Sequence, residues 1–126
     1  MAYYLAGPMR GLPNSNFDAF TEARDHLRSK GYEITCPAET AFQIYGEDIQ
    51  ANDNNFHEAM MFCYKAVLEC EGVIVLPGWG RSDGAKAEVL VATTLGKPVY
   101  AYHKHRPQFI EELPNVKIAT RAEVLA

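Results

Sequence analysis

At residues 72–88 the chain reads GVIVLPGWGRSDGAKAE, a pattern typical of a buried strand, a glycine-rich turn and the start of a helix. The apolar run from Val73 to Leu76 is of the kind found inside parallel sheets. Pro77 and the glycines after it end this strand. The helix that follows begins near Gly84 and is rich in small and apolar residues, which allow close packing on a sheet. The stretch therefore predicts one strand–turn–helix unit of a parallel α/β sheet.

The same arrangement is predicted at the N-terminus. An apolar, aromatic strand from Ala2 to Ala6 ends at Gly7-Pro8. An amphipathic helix follows and ends at Gly31. Its apolar face carries Phe17, Phe20 and Leu27.

Alternating strands and helices continue through the rest of the chain. They indicate one domain over residues 1–126, an open parallel α/β sheet of about five strands with helices on both faces, Rossmann-like or flavodoxin-like. The remaining predicted elements are a strand over 32–36, an irregular stretch over 38–53, a helix from Asn54 or Asn55 to Glu69, a strand over 99–102, a short helix near 108–113 and a last strand at 116–119.

Composition narrows the class of protein. Of the 126 residues 48% are apolar, which supports a core, and the net charge of -4 without a basic run argues against binding to nucleic acid polymers. No apolar run approaches the ~20 residues needed to span a membrane, and the N-terminus does not resemble a secretion signal. The cysteines are odd in number and have no metal-ligand spacing, so we expect reduced thiols in a cytoplasmic protein. They are Cys36, Cys63 and Cys70.

The two glycine-rich turns would open at the same edge of the sheet, where ligands bind in this fold class. In the first turn Arg10 stands between Gly7 and Gly11, which let the backbone approach a ligand closely. Arg10 is either a solvated surface residue or a contact for a phosphate or a base. In the second turn Ser82 is a simple N-cap or part of an anion site at the helix N-terminus, and the two roles are compatible.

Glu88 lies one turn into the helix that follows the second glycine-rich turn, four residues after Gly84. An acid there could simply stabilise the helix N-terminus. Because the surrounding helix is apolar, we expect the carboxylate to be buried, and burial is costly unless the group has a use. Glu88 is therefore a catalytic candidate. Asp83 is predicted to cap the helix, and Trp79 either stacks on a base or shields the loop.

Several common cofactor motifs are missing from the sequence. There is no G-x-G-x-x-G, and Gly96-Lys97 is followed by Pro98, which excludes a P-loop. The histidines have no carboxylate or cysteine at ligand spacing, so no metal site is predicted. The histidines considered are His57, His103 and His105.

The paired motifs Tyr4-x-x-Gly7-x-x-Arg10-Gly11 and Ser82-x-Gly84-x-x-x-Glu88 resemble those of the nucleoside 2-deoxyribosyltransferase superfamily. Within it the chain is most similar to 2′-deoxynucleoside 5′-phosphate N-hydrolases. Gly-Pro-Met-x-Gly-Leu-Pro at residues 7–13 and Leu-Pro-Gly-Trp at 76–79 also resemble small phage and bacterial members. The likeness covers roughly residues 3 to 102.

The resemblance implies a covalent route without a cofactor. Glu88 would attack C1′ of the 2-deoxyribose and release the base, after which water hydrolyses the ester or another base accepts the sugar. Tyr4 would hold or tune the carboxylate, while Arg10 and Ser82 would contact the 5′-phosphate. The other residues that the resemblance assigns to substrate binding are Gly7, Met9, Gly11, Trp79, Asp83 and Gly84.

The resemblance also implies a homodimer or higher homo-oligomer. The sequence departs from the family pattern at one position. An aspartate near the sugar and the leaving base would fall on Cys63 or Tyr64, and neither is acidic. The acids that could replace this aspartate are Asp53, Glu58 and Glu69. The residues that could line a subunit contact, or equally belong to the core, are Phe56, Met60, Met61 and Phe62.

We therefore expect an enzyme that cleaves the N-glycosidic bond of a deoxynucleoside 5′-monophosphate or nucleoside, by hydrolysis rather than base exchange. A protein that binds a nucleotide or an ADP-ribose-like ligand without cleaving it is the alternative, because the aspartate is missing.

Overall fold

The structure is a computed structural model that describes residues 2–8, 16–37, 56–105 and 110–113; of residues 56–60 it describes the backbone only. Within these residues, strands and helices alternate from the N-terminus to the fourth strand. In chain order the elements are β1 (Ala2–Ala6), α1 (Phe17–Ser29), β2 (Glu33–Thr35), α2 (Phe56–Glu69), β3 (Gly72–Val75), a 3-10 turn (Trp79–Arg81), α3 (Asp83–Thr94), β4 (Val99–Tyr102) and β5 (Ile110–Glu112).

The strands form one sheet in the order β2-β1-β3-β4-β5. The first four are parallel to one another, with Leu5 opposite Ile74 and Ile74 opposite Tyr100. Their carboxyl ends therefore meet at one edge. The predicted α/β sheet is confirmed, with one antiparallel strand added at its border.

Two apolar cores lie on opposite faces of the sheet. Along β1, Leu5 faces the core beneath α1, whereas Tyr4 and Ala6 face the core beneath α2 and α3. The α1 core includes Phe20 and Leu27, as the amphipathic pattern predicts. None of the helices that the structure describes has the length and apolar character needed to cross a membrane.

The prediction of a helix near residues 108–113 is wrong, because residues 110–112 form β5. This strand pairs antiparallel with β4, with Tyr102 opposite Ile110 and Tyr100 opposite Glu112. The N–H of Leu113 also donates to the carbonyl of Val99 at 2.8 Å. The local sequence has no decisive period, and pairing with the border of the sheet determines its conformation. Residues 108, 109 and 116–119 lie outside the described residues.

Ser82 caps the N-terminus of α3, which confirms one of its two predicted roles, whereas the prediction that Asp83 caps this helix is wrong. The Ser82 hydroxyl oxygen accepts from the N–H of Ala85 at 3.1 Å. The backbone carbonyl of Ser82 accepts from the N–H of Lys86 at 2.9 Å. Ser82 has the extended backbone that an N-cap requires. Asp83 is the first residue of the helix itself.

Candidate functional site

Glu88 lies on the face of α3 that packs against the sheet. The buried residues of this helix recur at helical spacing and form a stripe that faces the core. Glu88 belongs to that stripe and is only 7% exposed, the one buried charged residue of the described chain. The other members are Ala85, Val89 and Ala92.

Tyr4 lies beside Glu88 on the same face of the sheet, where its side chain is buried. The Tyr4 hydroxyl and Glu88 Oε2 have no hydrogen-bond partner within the described part of the chain. The two groups are close enough to shift each other's pKa, although their oxygens do not meet hydrogen-bond geometry. The structure thus places Tyr4 of β1 next to Glu88 of α3, and two buried polar atoms there have no partner among the described residues.

Burial determines the protonation of this pair. It raises the pKa of Glu88 from 4.5 to about 8, and the neighbouring Tyr4 hydroxyl opposes the rise. Burial, with the charge of Glu88 in addition, holds the pKa of Tyr4 well above its ordinary value. Near neutral pH the Glu88 carboxyl is thus largely protonated and lies beside the protonated Tyr4 phenol.

Cys63 on α2 completes this cluster. Burial raises the pKa of the Cys63 thiol to about 11, the charge of Glu88 adds to the rise, and Tyr4 opposes it. Burial followed by the charge of Glu88 also raises the pKa of Tyr64. The two positions on which the aspartate implied by the resemblance could fall, Cys63 and Tyr64, are therefore near Glu88, and neither carries an acid.

Of the acids that could replace that aspartate, the described residues include the side chain of Glu69 alone. Glu69 is exposed at the end of α2. Asp53 and the side chain of Glu58 lie outside the described residues.

The start of α3 offers donors for an anion close to Glu88 in the chain. The N–H groups of Asp83 and Gly84 have no acceptor among the described residues. The Ser82 hydroxyl accepts from the helix, so its own hydrogen remains available to a ligand. Apart from its chain neighbours and the backbone of its own helix, a Cβ added at Gly84 would meet one atom of the described residues within 4 Å, Ser82 Oγ at 3.9 Å. This glycine is thus not required by packing within the described structure.

Gly7 has a different explanation. A Cβ added there would lie 2.9 Å from the Cβ of Leu76, closer than real side chains approach. The Leu76 N–H donates to the Ala6 carbonyl at 2.8 Å, which brings the ends of β1 and β3 together. Packing between the strands therefore accounts for a glycine that the sequence assigns to ligand binding.

The remaining predicted site residues are only partly brought together. Trp79 is half-buried against the core that contains Tyr4. Asp83 is exposed, and its Oδ1 lies 3.3 Å from Lys86 Nζ. Met9, Arg10 and Gly11 lie outside the described residues, so their predicted roles stay predictions.

The candidate histidines and the candidate subunit-contact residues of α2 are only partly within the described residues. His103 Nε2 is 2.9 Å from Glu111 Oε2, and His105 is exposed. Met61 and Phe62 on α2 are exposed at 61% and 39%. The side chains of His57, Phe56 and Met60 are outside the described residues.

Comparison with known proteins identifies the family but not an activity. Residues 1–101 match the family described as Domain of unknown function (DUF4406). No curated protein matches the chain. The match contains both glycine-rich turns, Tyr4, Cys63 and Glu88, and it covers most of the sequence, so the chain belongs to the DUF4406 family.

Proposed function

We propose that this protein cleaves the N-glycosidic bond of a 2′-deoxynucleoside 5′-monophosphate, with Glu88 as the nucleophile. The observation that carries the proposal is the buried Glu88 carboxyl, which has an unpartnered oxygen and an unpartnered tyrosine hydroxyl next to it. A buried group of this kind is costly for stability. Its presence is best explained by a ligand that uses it.

In the first step, an oxygen of ionised Glu88 bonds to C1′ of the sugar while the bond from C1′ to the base nitrogen breaks. The electron pair of that bond leaves with the base, which takes up a proton. In the second step, a water oxygen bonds to C1′, the ester bond breaks, and its electrons return to Glu88. Water loses one proton, so the net products are the free base and deoxyribose 5-phosphate.

The Tyr4 hydroxyl has the properties of a positioning group in this reaction. It is protonated across the physiological range because its pKa is raised by burial. It can therefore donate a hydrogen bond to the ionised carboxylate once a substrate draws the two oxygens together. It also opposes the rise in the pKa of Glu88, which favours the reactive anion.

The start of α3 is the proposed binding site for the 5′-phosphate. A phosphate there would accept from the N–H groups of Asp83 and Gly84 and from the Ser82 hydroxyl, and the helix dipole would favour its charge. The open space beside Gly84 supports this role.

The decisive experiment is a base-release assay on a panel of deoxynucleoside monophosphates and nucleosides, followed by chromatography. We expect free base from at least one monophosphate, and Glu88→Gln to slow its release by about a thousandfold or more, as removal of a nucleophile does. Glu69→Gln, which removes an exposed carboxylate from α2, is the matched control and should retain activity. Release of no base from any substrate, or an active Glu88→Gln variant, contradicts the proposal.

A second candidate is a protein that binds a nucleotide or an ADP-ribose-like ligand and leaves it intact. It is favoured by Cys63, because a neutral thiol with a pKa of about 11 cannot replace the acid that the resemblance implies. Calorimetry followed by recovery of the ligand distinguishes the two: stoichiometric binding with intact ligand supports this candidate. Base exchange is tested in the same assay by adding a second free base and searching for the new nucleotide.

A further inference from the structure

A cleft of about 530 Å³ opens at the carboxyl edge of the sheet, on the side of α1. Its volume lies within the range of small-molecule sites, about 300–1,000 Å³. Leu76 and Tyr102 belong both to its lining and to the core beneath α1. Neither Tyr4 nor Glu88 lines it, because their side chains belong to the opposite face of the sheet. The cleft is therefore separate from the Glu88 site.

The interior of the cleft suits a flat apolar group. Most of its lining comes from carbon-rich surfaces, and the Tyr102 ring stands among them. The apolar lining residues are Pro8, Ala19, Leu76 and Pro77.

Hydrogen bonds hold two parts of the wall in place without a ligand. Asn16 Nδ2 donates to the Pro8 carbonyl at 2.9 Å, which joins the end of β1 to the start of α1. The Tyr102 hydroxyl is hydrogen-bonded to His26 Nδ1 at 2.8 Å. The shape of the cleft is thus preformed, which lowers the entropic cost of binding.

The charges around the cleft favour an anion. The charged residues that line the cleft are two cations, Arg81 and Lys104, and one carboxylate, Glu22. The cleft is thus more positive than the chain as a whole, whose net charge is -4. Lys104 is ion-paired with Glu22. Arg81 has no ion-pair partner among the described residues. Its exposed guanidinium can therefore form a two-pronged contact with a phosphate.

We propose that this cleft binds a small aryl phosphate monoester, as a ligand site distinct from the Glu88 pocket. The aromatic group lies between Pro8, Leu76 and the Tyr102 ring, and the phosphate lies at the rim against Arg81. The site requires no sugar and no bond cleavage, so it extends beyond the proposed activity.

Calorimetry with phenyl phosphate tests the proposal, because this compound has no glycosidic bond. We expect it to bind at least about tenfold more tightly than inorganic phosphate or phenol alone, since each occupies only half of the site. Arg81→Ala should weaken binding by about tenfold or more, as loss of a charged contact does. Lys65→Ala, which removes an exposed cation from α2, is the matched control and should leave binding unchanged.

Two further variants locate the ligand. Ala19→Phe fills the cleft without changing charge and should abolish binding, whereas Glu88→Gln should leave it intact. Circular dichroism verifies that each variant is folded. Absence of binding by the wild-type protein, equal affinities of the Arg81 and Lys65 variants, or loss of binding in Glu88→Gln would overturn the proposal, whatever the base-release assay shows.

Discussion

The two faces of the sheet differ in how their buried polar groups are satisfied. Beneath α1, the hydroxyl of the buried Tyr102 is hydrogen-bonded to His26 Nδ1 at 2.8 Å. Beneath α2 and α3, the Tyr4 hydroxyl and Glu88 Oε2 have no partner among the residues that the structure describes. An unsatisfied buried polar atom costs about 1–3 kcal/mol. The comparison shows that the buried Tyr102 hydroxyl is satisfied within the chain, whereas the face beneath α2 and α3 retains polar atoms without a partner among the described residues; we propose that a ligand satisfies Tyr4 and Glu88.

The largest expected effect is a loss of stability with rising pH that originates from Glu88. Its carboxyl is neutral in the folded and unfolded protein below pH 4.5, but between 4.5 and about 8 only the unfolded chain ionises. The free energy of unfolding should therefore fall by about 1.4 kcal/mol per pH unit in this interval. Glu88→Gln cannot titrate and should lack this fall.

Urea unfolding of both proteins at about pH 5 and about pH 8 measures the difference. Glu69→Gln corrects for the loss of one surface carboxylate. If the wild-type protein and Glu88→Gln lose stability in parallel, Glu88 is not held neutral by its surroundings, and the contrast between the two faces is lost.

A smaller effect is expected from removing one tyrosine hydroxyl on each face. Tyr102→Phe breaks the contact with His26 and should cost about 1 kcal/mol of stability, with base release retained. Tyr4→Phe removes an unpartnered hydroxyl, so stability should be unchanged or higher while base release falls about tenfold. Thermal unfolding and the rate assay give both values. The same response from both variants would mean that the faces do not differ in role.

A third pair of effects, also smaller than that of Glu88, concerns the glycines at the two turns. Gly7→Ala places a Cβ 2.9 Å from Leu76 Cβ and should destabilise the protein by about 1–3 kcal/mol. Gly84→Ala meets open space and gains helix propensity, so stability should rise by up to about 1 kcal/mol. Only the second variant should weaken a 5′-phosphate substrate specifically, seen as a higher KM for monophosphates than for nucleosides. A destabilised Gly84→Ala variant would show that this glycine also serves packing.

Much of the fold follows from local patterns. The apolar runs at β1, β3 and β4 predict buried parallel strands, and the periodicity of α1 predicts its buried face. The juxtaposition of Tyr4 and Glu88 follows from these elements, because parallel strands end at one edge and α3 packs on the face that Tyr4 occupies. The strand β5 could not be predicted, since Ile110–Glu112 has no decisive period and gains its conformation from β4.

Parts of the site depend on contacts between distant segments. Cys63 has the spacing of an ordinary core residue, and only the packing of α2 brings it near Glu88. The sequence offers both Ser82 and Asp83 as caps of α3, because both side chains are common caps, and the extended backbone falls on Ser82. The cleft beside α1 combines residues from several elements, so no short motif could have indicated it.

The acidic border of the sheet limits how copies of this chain can associate. Among the described residues β5 is the outermost strand on one side, and Glu111 and Glu112 are exposed along it. Adding a strand from another copy would bring like charges together and desolvate them, which opposes edge-to-edge polymerisation. We therefore expect any assembly of this chain to use its helical surfaces, such as α2 with its exposed Met61 and Leu68, and not to extend the sheet at this border.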